Sequence, residues 1–194
     1  MLTPRRLHST RVALIAVVAA LAVAAVAVAL LVGAGKQRHR PTTQQGFLLQ
    51  SGEQPGFSVT SPPTAIRLQQ PGFKSGVQES LGAPDGRAGF TLILEFKTPA
   101  GARTAAAQYL SSARAGAASL KLAAFTVPGV AGTHGFTGPG KPVGVADAYW
   151  TVGRCMLGSG VSVSGAPGKS AAALSKPVIA GIQSQSKRIG GRCP

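Results

Sequence analysis

A chain of 194 residues with 20 Lys and Arg against 5 Asp and Glu carries a formal charge of +15, and 44% of it is hydrophobic. Gly (26) and Pro (14) are frequent but stay below the share that marks low-complexity disorder, and aromatic residues make up only 5%. Two cysteines without a nearby histidine exclude a four-ligand zinc site, and they do not form a C-x-x-C redox pair.

Residues 1–11 are a short basic tail with Arg5, Arg6 and Arg11. Val12–Val32 then runs for 21 residues without a charge, a polar side chain, Gly or Pro. As a helix rising about 1.5 Å per residue it spans roughly 31 Å, enough to cross a hydrocarbon core of about 30 Å. It is read as a transmembrane helix, which makes the lipid bilayer the first partner of the chain. Lys36, Arg38 and Arg40 on the far side balance the three arginines on the near side, so the flanking charges do not orient it. A short basic N-terminus followed by one apolar helix and a long domain predicts the N-terminus inside and the domain outside. Cleavage near Val32-Gly33-Ala34 is the competing reading, but the run is longer than the apolar core of a signal peptide.

Residues 33–46 read as a polar stalk and residues 47–194 as one extracytoplasmic domain, large enough to bury a core. Its fourteen basic residues against Glu53, Glu79, Asp85, Glu95 and Asp147 are spread singly apart from the pair Lys187-Arg188. Such a diffuse positive field suits anionic lipid head groups, an anionic envelope polymer or another envelope protein, and it also keeps a domain with few acids soluble. Nucleic acid is not expected, because basic residues are not interleaved with stacking aromatics.

Within the domain, Gln54-Pro55-Gly56-Phe57 and Gln70-Pro71-Gly72-Phe73 are two copies of one turn motif. The region as far as Gly86 reads as irregular, with one short strand over Thr64–Gln69. Gly89–Lys97 alternates Phe90, Leu92, Leu94 and Phe96 with Thr91, Ile93 and Glu95, the period of a half-buried strand. Thr98-Pro99 caps and opens a helix running to about Arg114, and Ser119–Val127 resumes as a strand, giving a β-α-β order. Val130–Pro142 reads as a Gly-rich loop. Val143–Val152 and Cys155–Ser164 form a hairpin through Gly153-Arg154, with Gly at the first turn position as a type II′ turn requires. Gly158 and Gly160 suggest a bulge in its second strand. Ser170 caps a last helix that Pro177 should kink or restart and Gly190-Gly191 should end. The sum is an α+β fold: one antiparallel or mixed sheet with two helices packed on one face.

Cys155 and Cys193, an even pair in an exported domain, predict a disulfide, with two unrelated buried thiols as the alternative. Chemistry-bearing groups are otherwise sparse. His134 is the only histidine of the domain. A Ser-His-Asp arrangement with Asp85 or Asp147 has no G-x-S-x-G elbow to place its nucleophile. Gly165–Ser170 ends in a phosphate-loop-like G-K-S, but Val163 stands where that motif needs Gly, and Pro167 removes a backbone donor. No catalytic residue, metal site or cofactor is assigned. Tyr149-Trp150 is the one aromatic pair. On a strand its members point to opposite faces, so one should be core, and Tyr149, Trp150 and His134 mark the expected contact surface.

The composition, the single anchor and these local signatures resemble the small, single-anchor extracytoplasmic proteins of actinobacteria. The resemblance covers roughly residues 85–190 and is carried by Gly89-Phe90, the helix start Thr98-Pro99-Ala100-Gly101-Ala102, the run Phe125–Val130 and the Gly153-Arg154 turn. These are architectural residues, so the resemblance implies an α+β envelope domain and transfers no functional residue. The expected function is a non-catalytic binding or scaffolding module at the cell membrane. The alternatives are an envelope hydrolase using His134, or a cytoplasmic basic nucleic-acid-binding domain.

Overall fold

A computed structural model of the chain describes residues 43–140, 143–164 and 170–193. Among these no helix is long and apolar enough to cross a membrane; Val12–Val32 and most of the loop before Ser170 lie outside the described residues. A 3-10 turn at Thr43–Phe47 leads into β1 (Ser58–Val59), β2 (Thr64–Ile66), β3 (Phe73–Gly82) and β4 (Ala88–Phe96). Helix α1 (Pro99–Gly116), β5 (Ala123–Phe125), β6 (His134–Gly138), β7 (Val143–Val152), β8 (Cys155–Ser164) and α2 (Ala171–Ile189) follow. The eight strands form one sheet in the order β1-β3-β4-β8-β7-β6-β5, with β2 also paired to β3, and every ladder is antiparallel.

The helices lie on opposite faces of this sheet, which corrects the expectation that they share one. Period-2 alternation shows it directly. Cys155, Leu157 and Val161 of β8 join Ala146, Ala148 and Trp150 of β7 under Leu174, Val178 and Ile182 of α2. The residues between them, Met156 and Tyr149, join Leu92, Leu94 and Phe96 of β4 under Ala102 and Ala105 of α1. The strands buried on both faces therefore need apolar residues at successive positions, and the run Leu92-Ile93-Leu94 on β4 meets that need.

The connection through α1 explains the placement. β4 and β5 point the same way but stand four positions apart in the sheet, roughly 19 Å at about 4.8 Å per strand. An 18-residue helix, about 27 Å long, covers that crossing and packs on β4, β8, β7 and β6 on the way. Thr98 Oγ1 accepts from Gly101 N (3.1 Å) at its start. Ser170 Oγ accepts from Ala173 N (3.2 Å) at the start of α2, and Gly190 ends that helix at φ +61°. Pro177 neither ends nor restarts α2, which runs continuously through it with Pro177 buried.

Other expectations change. The stretch read as irregular holds β3, ten residues long and hydrogen-bonded along β4. Its core-facing positions include Glu79 between Val77 and Leu81, so a charged residue interrupts the apolar alternation. The loop over Val130–Pro142 contains β6, whose glycines make room for neighbours. A Cβ on Gly135 would lie 2.6 Å from the Phe125 ring, and one on Gly138 2.8 Å from Leu122. The strand over Ser119–Val127 shrinks to Ala123–Phe125.

β8 has no bulge at Gly158 or Gly160, since its register with β4 and β7 is unbroken. The glycines clear space for side chains instead. A Cβ on Gly158 would stand 2.7 Å from Tyr149, and one on Gly160 would collide with Asp147 Oδ1 and the Phe90 ring. Gly160→Ala is therefore expected to cost about 2 kcal/mol by overpacking. A urea unfolding midpoint lowered at unchanged m checks this.

Candidate functional site

The cross-strand rows on the α1 face bring the candidate residues together. One row runs His134 (β6), Tyr149 (β7), Gly158 (β8), Leu92 (β4), and the next runs Phe136, Asp147, Gly160, Phe90. His134 and Tyr149 are thus direct partners, and Asp147 is the diagonal neighbour of His134, a separation of about 7–8 Å on one face of an antiparallel pair. Asp85 is elsewhere. It sits in the turn between β3 and β4 with Arg87 Nε at 2.9 Å, and strands β4, β8 and β7 separate it from His134.

Tyr149 and Trp150 are both buried, at 5% and 1% exposure, so neither offers its side chain as a contact surface. Trp150 packs under α2, while Tyr149 packs under α1 with its ring 6.0 Å from that of Tyr109. Tyr149 and Trp150 are both covered because the sheet carries a helix on each face. His134, at the start of β6, is exposed. Among the described residues no hydroxyl donates to His134, so the arrangement lacks the paired nucleophile and base of a Ser-His-Asp site. Nor do three His, Cys, Asp or Glu side chains converge as metal ligands among those residues.

Asp147 is the chemically distinctive group. Asp147 is half-buried, and its Oδ1 together with the Phe90 ring fills the space over Gly160. Burial pushes its carboxyl up to about 7. Burial also raises Tyr149 well above the usual phenol range, with the nearby Asp147 and Tyr109 adding to it, and burial alone pushes Tyr109 up to about 12. The group can hold or release a proton near neutrality. In the sequence Asp147 stands out only as a partner for His134; the signal for its place is its strand parity, opposite to Ala146 and Ala148.

A second carboxylate organises the top of the sheet. Glu95, 8% exposed, has Lys74 Nζ and Arg154 Nε each 2.8 Å from Oε1, while Ser75 Oγ (3.1 Å) and Gln44 Nε2 (3.2 Å) donate to Oε2. Burial by itself raises the Glu95 carboxyl, but the hydrogen bonds from Lys74 and Ser75 and the charges of Lys74 and Arg154 outweigh it and hold it below the usual value. Gln44 is buried here, so residues 43–46, at the end of the stretch read as a stalk, belong to the packed domain. On the α2 face Glu79, also 8% exposed, heads a row with Thr91 and Ser159, and Ser159 Oγ donates to Gln54 Oε1 at 3.0 Å. Burial raises the Glu79 carboxyl. Cys155 and Cys193 are joined as a disulfide, which ties the end of the chain to the start of β8.

No protein-family model matches this chain, and no curated protein matches its sequence. Among solved structures, the extracellular domain of PknH from Mycobacterium tuberculosis is similar at a TM-score of 0.48 and 10% identity, over 77% of this chain and 100% of that one.

Proposed function

We propose that the chain is a single-pass membrane protein of the bacterial cell envelope whose extracytoplasmic α+β domain binds or scaffolds rather than catalyses. The disulfide between Cys155 and Cys193 carries this reading, because such bonds persist on the oxidising side of a membrane. The apolar run Val12–Val32 supports it by supplying an anchor of spanning length ahead of the domain. In this arrangement residues 1–11 stay in the cytoplasm, the stretch after Val32 gives reach, and the domain faces outward. His134, to which no hydroxyl donates among the described residues, weighs against catalysis, while the buried Tyr149-Trp150 pair leaves any contact to other exposed residues.

Protease treatment of intact cells, with mass determination of the released fragment, tests the reading. The expected product contains Cys155 and Cys193 joined and begins beyond residue 32. A domain protected until the cells are lysed, with both thiols free to alkylation, overturns it.

A further inference from the structure

The five acids of the domain are each either paired or buried. Arg188 Nη2 lies 2.6 Å from Glu53, Arg87 Nε 2.9 Å from Asp85, and Lys74 and Arg154 each 2.8 Å from Glu95. Glu79 is buried on the face of the sheet that carries α2, and Asp147 is half-buried on the face that carries α1. The cations are distributed in the opposite way. Arg67, Lys97, Arg103, Arg114, Lys121, Lys176, Lys187 and Arg192 are all exposed and, among the described residues, none has an acidic partner. The solvent surface is thus positive with almost no alternation of sign.

Its geometry matters as much as its sign. On α1, Arg103 and Arg114 are eleven residues apart. At about 100° per residue that returns to the same side of the helix, roughly 16 Å further along. Lys97 and Lys121 extend the series beyond its two ends. On α2, Lys176 and Lys187 repeat the eleven-residue spacing, and Arg192 follows. The two helices cover opposite faces of the sheet, so their outer surfaces stand roughly 30 Å apart, two helix diameters plus one sheet layer.

That separation selects the partner. Electrostatic attraction to a charged plane decays with a Debye length of about 8 Å at physiological salt. A flat anionic membrane touching α1 would leave the α2 cations nearly four Debye lengths away, about 30 Å against about 8 Å, and unused, and the converse holds for α2. A flexible chain of anions can follow both. We propose that the domain binds a polyanionic envelope polymer, with phosphate or carboxylate groups along its backbone, through the outer surfaces of α1 and α2 together. The recognition is of backbone charge and its spacing; each helix offers a pair of cations and the polymer passes from one face to the other. This rests on the extracytoplasmic reading above, which sets the compartment in which such a polymer is met.

The test uses the full chain in phosphatidylcholine nanodiscs, titrated with long-chain sodium polyphosphate at physiological salt, and separately with vesicles containing phosphatidylglycerol. Replacing one pair, Arg103→Gln with Arg114→Gln, is expected to weaken polyphosphate binding about tenfold. Lys176→Gln with Lys187→Gln should do the same, and all four together about a hundredfold, with the salt dependence becoming shallower at each step. All four sites are exposed and Gln is a good helix former, so unfolding midpoints matching the wild type exclude misfolding as the cause. Loss through one pair only, the other being silent, overturns the two-faced surface, as does tighter binding to the vesicles than to polyphosphate. Failure of the wild-type chain to bind polyphosphate also overturns it. The compartment is judged separately: a protected domain with free thiols sinks the localisation and leaves the measured surface standing.

Discussion

Replacing both cysteines, Cys155→Ser with Cys193→Ser, is expected to lower the stability of the domain by about 3–4 kcal/mol. The bridge joins residues 38 apart in sequence, and closing a loop of that length removes about this much free energy's worth of unfolded-chain entropy on the loop-closure model. The native geometry adds a local reason. Cys155 opens β8 directly after the Gly153-Arg154 turn, and Cys193 follows the last turn of α2. Without the bond, the residues after Gly190 have little else to hold them, and terminal segments fray first. Their loosening would also release Ile189, which packs in the core beneath α2. For a domain of this size the loss corresponds to roughly 10 °C in melting temperature. Reductant should produce the same drop in the wild type and none in the double variant. A drop below about 1 kcal/mol in either comparison would mean that the loop is already restrained by packing and that the bridge is dispensable.

How much of this fold was legible depends on where alternation survives. The β7–β8 hairpin could be placed to the residue, because Gly153 adopts φ +54° and no non-Gly residue has positive φ, the combination a type II′ turn demands. Strand β4 and the cap of α1 were equally plain. β3 was hidden because two of its core-side features, Gly76 and Glu79, are poor strand signals. Gly76 is needed there because a Cβ would lie 2.6 Å from Leu94. The opposite placement of the helices was harder still. It is encoded in the unbroken apolar run Leu92-Ile93-Leu94, which signals burial on both faces and was read only for its alternate members. For the same reason the aromatic pair was assigned one exposed member when both are covered. The commitment of every acid to a pair or to the interior cannot be read from a sequence at all, since the partners of Glu95 come from three separate segments.

Asp147 should make the domain less stable as the pH rises towards neutrality, and Asp147→Asn should remove much of that loss. The ordinary aspartate value is near 3.8, and burial in the folded domain pushes this carboxyl up to about 7. Between those two values the folded state keeps a proton that the unfolded chain has released, so stability falls with rising pH across that window and levels off above it. A shift of about three units corresponds to at most about 4 kcal/mol, and partial access to solvent brings the expected loss to about 2 kcal/mol. Glu79, raised by burial on the opposite face, acts with the same sign. Glu95 acts oppositely: its carboxyl is held below 4.5, so its contribution is present above that value and is lost as the pH falls through its lowered folded value. The wild type should therefore be most stable at about pH 4, where the contribution of Glu95 is largely present and the loss through Asp147 has barely begun. Asp147→Asn keeps the shape that Gly160 accommodates while removing the ionisation. It is expected to match the wild type at about pH 3.5 and to exceed it by about 2 kcal/mol at pH 8. Urea denaturation at both values reads the difference. Equal stability of the two proteins at pH 8 would show that the carboxylate is solvated in its place beneath α1, and Glu79→Gln, measured in parallel, separates the share that comes from the other face.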